Sequence, residues 1–112
     1  MEKLLVISVR KGYRVLLRAK VKGSKDDAVF FCTSQNISAT GILIETDRTL
    51  LSGEQINCSF YLPGAAHISA DGEIVRTANS DGGKHHHYGV RFTGISAEHT
   101  AEIERFIAES IN

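Results

Sequence analysis

Strict alternation of apolar and polar side chains most limits the fold of this chain. From position 13 to position 22, every second side chain is apolar, and the side chains between them include arginine and lysine. A period of two places the apolar groups on one face of an extended strand and the charged groups on the other. This first strand therefore has one buried face, formed by Val15, Leu17, Ala19 and Val21.

Turn-forming residues divide the rest of the chain into similar segments. Clusters of Gly, Asp, Asn and Pro recur about every ten residues, which is typical of short antiparallel strands joined by tight turns. Residues 28–34 carry apolar groups on both faces, so we expect this strand to be central or covered. The predicted strands after the first are 28–34, 41–46, 54–62, 67–78 and 85–93.

The pattern changes period near the end of the chain. Ser96 is suited to cap a helix, and Glu98 would lie in its first turn, where the helix dipole favours an anion. An apolar stripe at helical spacing follows, formed by Ile103, Phe106, Ile107 and Ile111. We therefore predict an all-β fold with a C-terminal helix at about residues 96–110. Strands at this spacing favour a six-stranded antiparallel β-barrel whose open side or end the helix covers.

Composition excludes several classes of function. Lys plus Arg and Asp plus Glu number 13 each, so the formal net charge is zero, which argues against general nucleic-acid binding. Cys32 and Cys58 lie in strand-like stretches without metal-ligand spacing, and we expect buried free thiols. No sequence motif for catalysis or a cofactor is present, so we expect no enzyme activity and no cofactor.

The run of histidines before the last strand is a weak metal signal. Neighbouring strand residues point to opposite faces, so only His85 and His87 would share a ligand, with no carboxylate or cysteine near them in sequence. We expect no metal site there. The apolar run at residues 4–7 is short and lacks a cleavage site, and no stretch approaches the roughly 20 apolar residues of a membrane helix. We therefore expect a cytoplasmic protein without membrane insertion.

Two polar clusters have chemistry suited to a small anion. Arg10 and Arg14 lie four residues apart just before the first strand, and a guanidinium donates paired hydrogen bonds to a phosphate or to the O6 and N7 atoms of guanine. Asn36 and Ser38 form a predicted polar turn with Gly41, whose missing side chain permits a close approach. Each cluster alone is a weak signal.

Together and in this order, the clusters resemble the motifs of the PilZ family. Those motifs are Arg-x-x-x-Arg and Asp/Asn-x-Ser-x-x-Gly, and here they read RKGYR and NISATG. The segments 51–56, 72–76 and 88–92 are also similar to later strands of that family. The resemblance implies residues 1–12 as a flexible N-terminal arm that carries Arg10, followed by a barrel and helix over residues 13–112.

The resemblance also implies cyclic di-GMP as the ligand on the outer surface of the barrel. Arg10 and Arg14 would hold phosphate and the Hoogsteen edge of guanine, and Asn36 a guanine edge. Ser38 would contact the polar rim of the ligand, and Gly41 would leave room for it. Arg76 is a weaker ligand-binding candidate, because it ends the segment 72–76 where some family members place a base-stacking residue. Asn36 replaces the more frequent aspartate, so its bond to guanine lacks charge assistance.

The leading hypothesis is a receptor that changes conformation on binding cyclic di-GMP and signals to an unidentified protein partner. The alternative is a PilZ-like interaction module that acts without ligand, since some members of the family lack the two motifs. Either one ligand or an intercalated pair is compatible with the sequence. A barrel enzyme or oligonucleotide binder ranks last, because the sequence has no cofactor motif and no Trp, and we expect no basic, aromatic-rich face.

Overall fold

A computed structural model of the protein describes residues 14–64, 66–79 and 85–111. The predicted arm at 1–12, including Arg10, lies outside the described residues. Within the described ranges, the backbone forms strands and one helix in the order β1 (Val15–Leu16), β2 (Lys20–Lys25), β3 (Ala28–Ser38), β4 (Gly41–Thr46), β5 (Gln55–Tyr61), β6 (His67–Asn79), β7 (His86–Ile95) and α1 (Ala97–Ser110).

Antiparallel pairing closes the sheet into a barrel. The strands follow the order β1-β3-β2-β5-β6-β7-β4, and a further pairing of β3 with β4 completes a ring of the six longer strands. The short strand β1 pairs with β3 beyond the end of β2. The predicted six-stranded antiparallel β-barrel with a C-terminal helix is therefore confirmed.

The first predicted strand is interrupted, and β1 and β2 are its two pieces. The Ser34 hydroxyl donates to the carbonyl of Leu17 and accepts from the backbone N–H of Ala19 at 2.9 Å. A side chain thereby takes up backbone groups that would otherwise bond along the strand. The alternation itself holds, because Leu17 and Val21 are buried as the sequence predicts.

Strand β3 is longer than predicted and contains a bulge. The sequence places its end at position 34, whereas the strand continues to Ser38. Ser34 pairs with Ile44 and Asn36 pairs with Leu43, so Gln35 is an extra residue between the two pairs. A bulge reverses which side chains face the interior.

The interior of the barrel is filled by one face of each strand. The thiols of Cys32 and Cys58 are free and buried there, as the sequence predicts, and loss of hydration raises the pKa of each to about 12. Strand β3 is central, which is one of the two alternatives that the sequence predicts, since it pairs with β2 and β4. Its outer face is not covered, because Val29 and Phe31 are exposed. The fully buried apolar side chains include Val21, Ile37, Ile42, Ile44, Cys58, Ile68, Ile74, Ile103 and Ile107.

Helix α1 lies across the barrel rather than beside it. It contacts both β3 and β6, which are opposite each other in the ring of six strands. Ser96 caps the helix by accepting the N–H of His99 at 3.0 Å, as predicted. Its buried face is centred on Ile103 and Ile107. No helix in the described part of the chain is long and apolar enough to cross a membrane.

Tyr88 anchors the loop between β4 and β5 to the barrel wall. Its ring is buried, and its hydroxyl accepts from Leu50 N–H at 2.8 Å and donates to the carbonyl of Arg48 at 3.1 Å. Leu50 is itself buried, so its N–H depends on this hydroxyl for a partner. One phenol oxygen therefore satisfies two loop backbone groups.

Replacing Tyr88 by Phe tests this anchor. Because the Leu50 N–H would lose its partner inside the protein, Tyr88→Phe is expected to lower the free energy of unfolding by about 1–3 kcal/mol. Urea denaturation followed by circular dichroism measures the loss. Tyr61→Phe is the matched control, since Tyr61 is exposed. Equal stability of the two variants would contradict the anchoring role.

Candidate functional site

A cleft of about 260 Å³ lies on the outer surface of the barrel, where β1, β3, β4, β6 and β7 are neighbours. Its walls combine guanidinium groups, an amide, a hydroxyl and a few apolar side chains. Four of the five predicted ligand-binding residues that the structure describes line this cleft, namely Arg14, Asn36, Gly41 and Arg76. The cleft is lined by Arg14, Asn36, Thr40, Gly41, Leu43, Val75, Arg76, Gly89, Val90 and Arg91.

A row of paired residues forms the floor of this cleft. Leu16 pairs with Asn36, Asn36 with Leu43, Leu43 with Gly89, and Gly89 with Arg76. Residues paired in this way point to the same face of the sheet. Gly89 has no side chain, so the middle of the row is open between the polar groups of Asn36 and Arg76.

A second bulge turns Arg76 towards the cleft. Ile74 pairs with Val90 and Arg76 pairs with Gly89, which leaves Val75 as the extra residue. Ile74 is buried in the barrel, so strict alternation would point Arg76 into the same core. The bulge reverses the alternation, and both Val75 and Arg76 lie exposed on the outer face.

The bulge at Gln35 acts in the same way on the opposite side of the cleft. The buried positions run through Cys32 and Ser34 before the bulge and resume at Ile37 after it. Without the extra residue, Asn36 would face the core, where its amide would need buried partners. With it, the amide faces the cleft.

Arg14 and Asn36 are in direct contact. The Arg14 Nη1 donates to Asn36 Oδ1 at 2.7 Å, which fixes the guanidinium at one wall of the cleft. Partial loss of hydration lowers the pKa of Arg14, and the charge of nearby Arg76 lowers it further. Two cationic groups therefore face a common space, an arrangement that an anion stabilises.

The described lining of the cleft contains no carboxylate. Arg91 stands at its edge and pairs with Glu73 outside the lining, with 2.6 Å between Nη2 and Oε1. Within the described residues, neither Arg14 nor Arg76 forms an ion pair, so their charges are not neutralised by the protein. The cleft is thus electrostatically suited to a phosphate or another anionic group.

Ser38 lies beneath the cleft rather than in its wall. The side chain is fully buried, and its oxygen accepts the N–H of Thr40 at 3.3 Å while lying 3.4 Å from the carbonyl of Gly41. Asn36 and Ser38 belong to β3, and only residues 39–40 form the turn that was predicted from position 36 onward. Direct contact of Ser38 with a ligand stays a prediction, whereas its bonds to the turn are observed.

Gly41 is required by the packing of two strands. A Cβ atom at this position would collide with the carbonyl oxygen of Val90 on β7. The neighbouring turn bonds to the same strand, since Phe92 N–H donates to the carbonyl of Thr40 at 2.8 Å. From the sequence, we expect Gly41 to leave room for a ligand. The atom that comes close to Gly41 is instead the backbone carbonyl oxygen of Val90.

Several lining residues were missed by the sequence analysis. Val75, Gly89 and Arg91 lie in segments that were read only as strands. No pattern of period two shows which residue of β6 forms a bulge, and that bulge places Val75 at the cleft. Arg10 lies outside the described residues, so its position relative to the cleft is untested.

The histidine run has a carboxylate neighbour that the sequence did not show. Glu45 on β4 lies 3.8 Å from His85 Nδ1 and 3.6 Å from His87 Nε2, and it also accepts a hydrogen bond from Gln35 at 2.8 Å. Metal–ligand bonds to these groups are about 2.0–2.2 Å long. In the described part of the chain, no three ligand-type residues are arranged to hold a metal ion.

A family profile and known structures match this chain. The PilZ domain profile matches residues 8–109. The Bacillus subtilis inhibitor of motility MotI/DgrA is 20% identical, with a TM-score of 0.79 over 89% of this chain and 50% of that one. Apo MrkH from K. pneumonia is 16% identical, with a TM-score of 0.75 over 91% of this chain and 51% of that one. No curated protein sequence matches.

A third structure is a single domain of similar size. The PilZ domain of YcgR from Escherichia coli, determined with c-di-GMP, is 13% identical, with a TM-score of 0.69 over 91% of both chains. The chain spans about half the length of MotI/DgrA and of MrkH. At these identities the structural likeness establishes the barrel fold.

Replacing Gly41 by Ala separates packing from ligand contact. The added methyl group would push β4 away from the Val90 carbonyl, so Gly41→Ala is expected to cost about 1–3 kcal/mol of stability without any ligand. Gly89→Ala is the comparison, because its methyl group would meet the Arg76 Cβ atom at 3.2 Å and no backbone atom closer than 4.0 Å. Thermal unfolding of both variants measures the difference. Wild-type stability of Gly41→Ala would show that this approach is not limiting.

Proposed function

The chain belongs to the PilZ domain family, and on that premise we propose that it is a receptor for cyclic di-GMP that signals to a protein partner. The observation that carries the proposal is the pair of arginines, Arg14 and Arg76, facing one cleft beside the amide of Asn36. The relatives solved with c-di-GMP, the YcgR domain and PlzA of Borreliella burgdorferi, support the ligand assignment.

The chemistry of the cleft suits guanine as well as phosphate. An arginine fork donates to the O6 and N7 atoms on the Hoogsteen edge of guanine, or to two oxygens of a phosphate. The Asn36 oxygen accepts a hydrogen bond, as its contact with Arg14 illustrates, and is suited to a guanine N–H group. Leu43 and Val75 offer apolar surface for the flat face of a base.

One further candidate ligand-binding residue, Arg10, lies outside the described residues. Arg10 precedes Arg14 by four positions, and we assign it a second arginine contact to the ligand. We further propose that ligand binding brings Arg10 over the cleft and changes the position of residues 1–12, which is the conformational signal. Ser38 supports the turn that leads to Gly41, since it accepts the Thr40 N–H and contacts the Gly41 carbonyl.

The magnitudes are compatible with micromolar binding. Such a complex needs about 8 kcal/mol of binding free energy. A well-formed bidentate arginine contact contributes roughly 1–3 kcal/mol. Two or three such contacts, together with the amide and the stacking of bases, supply that amount after the cost of ordering the chain is subtracted.

We assign this protein a binding role without catalysis. Among the described residues, the cleft lining holds arginines, an amide and a hydroxyl, but no nucleophile paired with a base. A receptor of this kind acts through the partner that recognises its liganded form, and no cofactor takes part in that exchange.

A calorimetric titration with cyclic di-GMP tests the proposal, with GTP and cyclic di-AMP as controls. Arg14→Ala and Arg76→Ala are each expected to weaken binding about ten- to a hundredfold if each arginine makes one strong contact. Arg105→Ala is the matched control, because Arg105 lies on the outer side of α1 and pairs with Glu102. The fitted stoichiometry distinguishes one bound ligand from an intercalated pair.

Two results would contradict the proposal. Wild-type affinity in both cleft variants would remove the arginines from the binding site. If the unmodified protein gave no heat and no shift in melting temperature, the ligand-independent interaction module would become the better interpretation. Circular dichroism of each variant shows that a loss of binding is not a loss of folding.

A further inference from the structure

A row of unpaired cations runs along the outer face of the barrel, away from the cleft. Arg18, Lys20 and Lys22 are exposed at alternate positions, with Arg18 just before β2 and the two lysines on it. Two residues of a strand span about 6.6 Å, which sets the spacing of these charges. In the described structure, none of the three forms an ion pair.

Apolar groups on β3 border this row. Phe31 is 58% exposed and Val29 is 51% exposed, although both are paired with residues of β2. Lys22 pairs with Phe31, and the Lys20 ammonium lies 5.5 Å from the centre of the Phe31 ring. We call the surface formed by Arg18, Lys20, Lys22, Val29 and Phe31 the basic face.

We propose that the basic face docks an acidic protein segment that carries an apolar side chain. Lys22 pairs with Phe31 on one side and with Ser59 of β5 on the other, so a partner cannot add a strand at Lys22. Recognition at this position therefore comes from side chains. Three unneutralised cations select carboxylates, while the exposed ring of Phe31 offers a contact for one apolar group.

Two carboxylates border the Arg18 end of the basic face, because Glu45 and Asp47 line a depression together with Arg18 and Phe31. In the described structure neither of them forms an ion pair with Arg18. Glu45 pairs across β3 with Thr33, on the side away from β2, and its carboxylate contacts Gln35 and His87. It therefore does not neutralise the lysines of β2. A lipid surface fits less well than a protein, because headgroup-binding clusters contain about 4–8 basic residues.

The basic face shares strands with the cleft. Strand β3 carries Phe31 on the basic face and Asn36 in the cleft, and the segment that follows Arg14 leads directly into β2. This inference rests on the proposed function in one respect, since a receptor without catalytic activity needs a surface for its partner. The charge and exposure of the basic face do not depend on the ligand.

Fluorescence anisotropy tests the docking surface with a defined probe. The probe is a short fluorescein-labelled peptide in which glutamates alternate with serines around one central leucine, and the comparison peptide has lysines in place of the glutamates. The full chain is expected to bind the glutamate peptide and to release it as salt rises. Lys22→Glu should weaken this binding roughly tenfold, and Phe31→Ser roughly fivefold.

A matched variant on another surface completes the design. Arg105→Glu, on α1, changes the net charge as Lys22→Glu does. It should bind the glutamate peptide as the unmodified protein does. Equal weakening by Lys22→Glu and Arg105→Glu would overturn the proposal. So would binding to phosphatidylglycerol vesicles without binding to the peptide, which would indicate a membrane surface instead.

Cyclic di-GMP titration of the same variants separates the two proposals. Lys22→Glu is expected to keep the ligand affinity of the unmodified protein, because Lys22 does not line the cleft. If Lys22→Glu loses peptide binding but keeps ligand binding, the result supports the basic face as a docking surface. Peptide binding by a protein that does not bind cyclic di-GMP would refute the receptor proposal and leave the docking surface standing.

Discussion

The register of β3 is the constraint on which the rest of the structure depends. This strand closes the barrel against β4, pairs with both β1 and β2, and contacts the helix. Its first half supplies Phe30, Cys32 and Ser34 to the interior. After one extra residue, the polar side chain of Asn36 faces outward instead. One extra residue in the pairing of β3 with β4 thus allows the same strand to contribute side chains to the core and to the polar cleft.

The second bulge completes that site from the opposite side. On β6, the extra residue Val75 turns Arg76 outward to face the Arg14–Asn36 pair across Gly89. Charged groups are costly inside a barrel, whereas partly hydrated arginines at its surface keep their charge and lack an internal counter-ion. Electrostatics and sheet geometry therefore agree on a surface suited to an anion, and this agreement is the basis on which we propose cyclic di-GMP as the ligand.

Much of this fold was predictable because its causes are local. Alternating apolar residues and regular turns indicated the six-stranded barrel, and Ser96 with the apolar stripe indicated the helix. The cleft was predictable only in part. Arg14, Asn36 and Arg76 meet there, but Ser38 is buried and Gly41 is fitted to a strand rather than to open space. Bulges depend on pairing between distant segments, so a pattern of period two cannot locate them.

Because β1 and β2 are separate strands, the two sides of the cleft belong to parts of the sheet that can open independently. Strand β1 is held to β3 by the pairs Val15–Ile37 and Leu16–Asn36, whereas Arg76 belongs to a ring whose strands are paired along both edges. Detaching β1 would leave that ring closed. The free energy of such a local opening is smaller than that of global unfolding. Arg14 therefore belongs to a less protected unit of the sheet than the residues it faces, and amide hydrogens of β1 would exchange with solvent while the barrel remained folded.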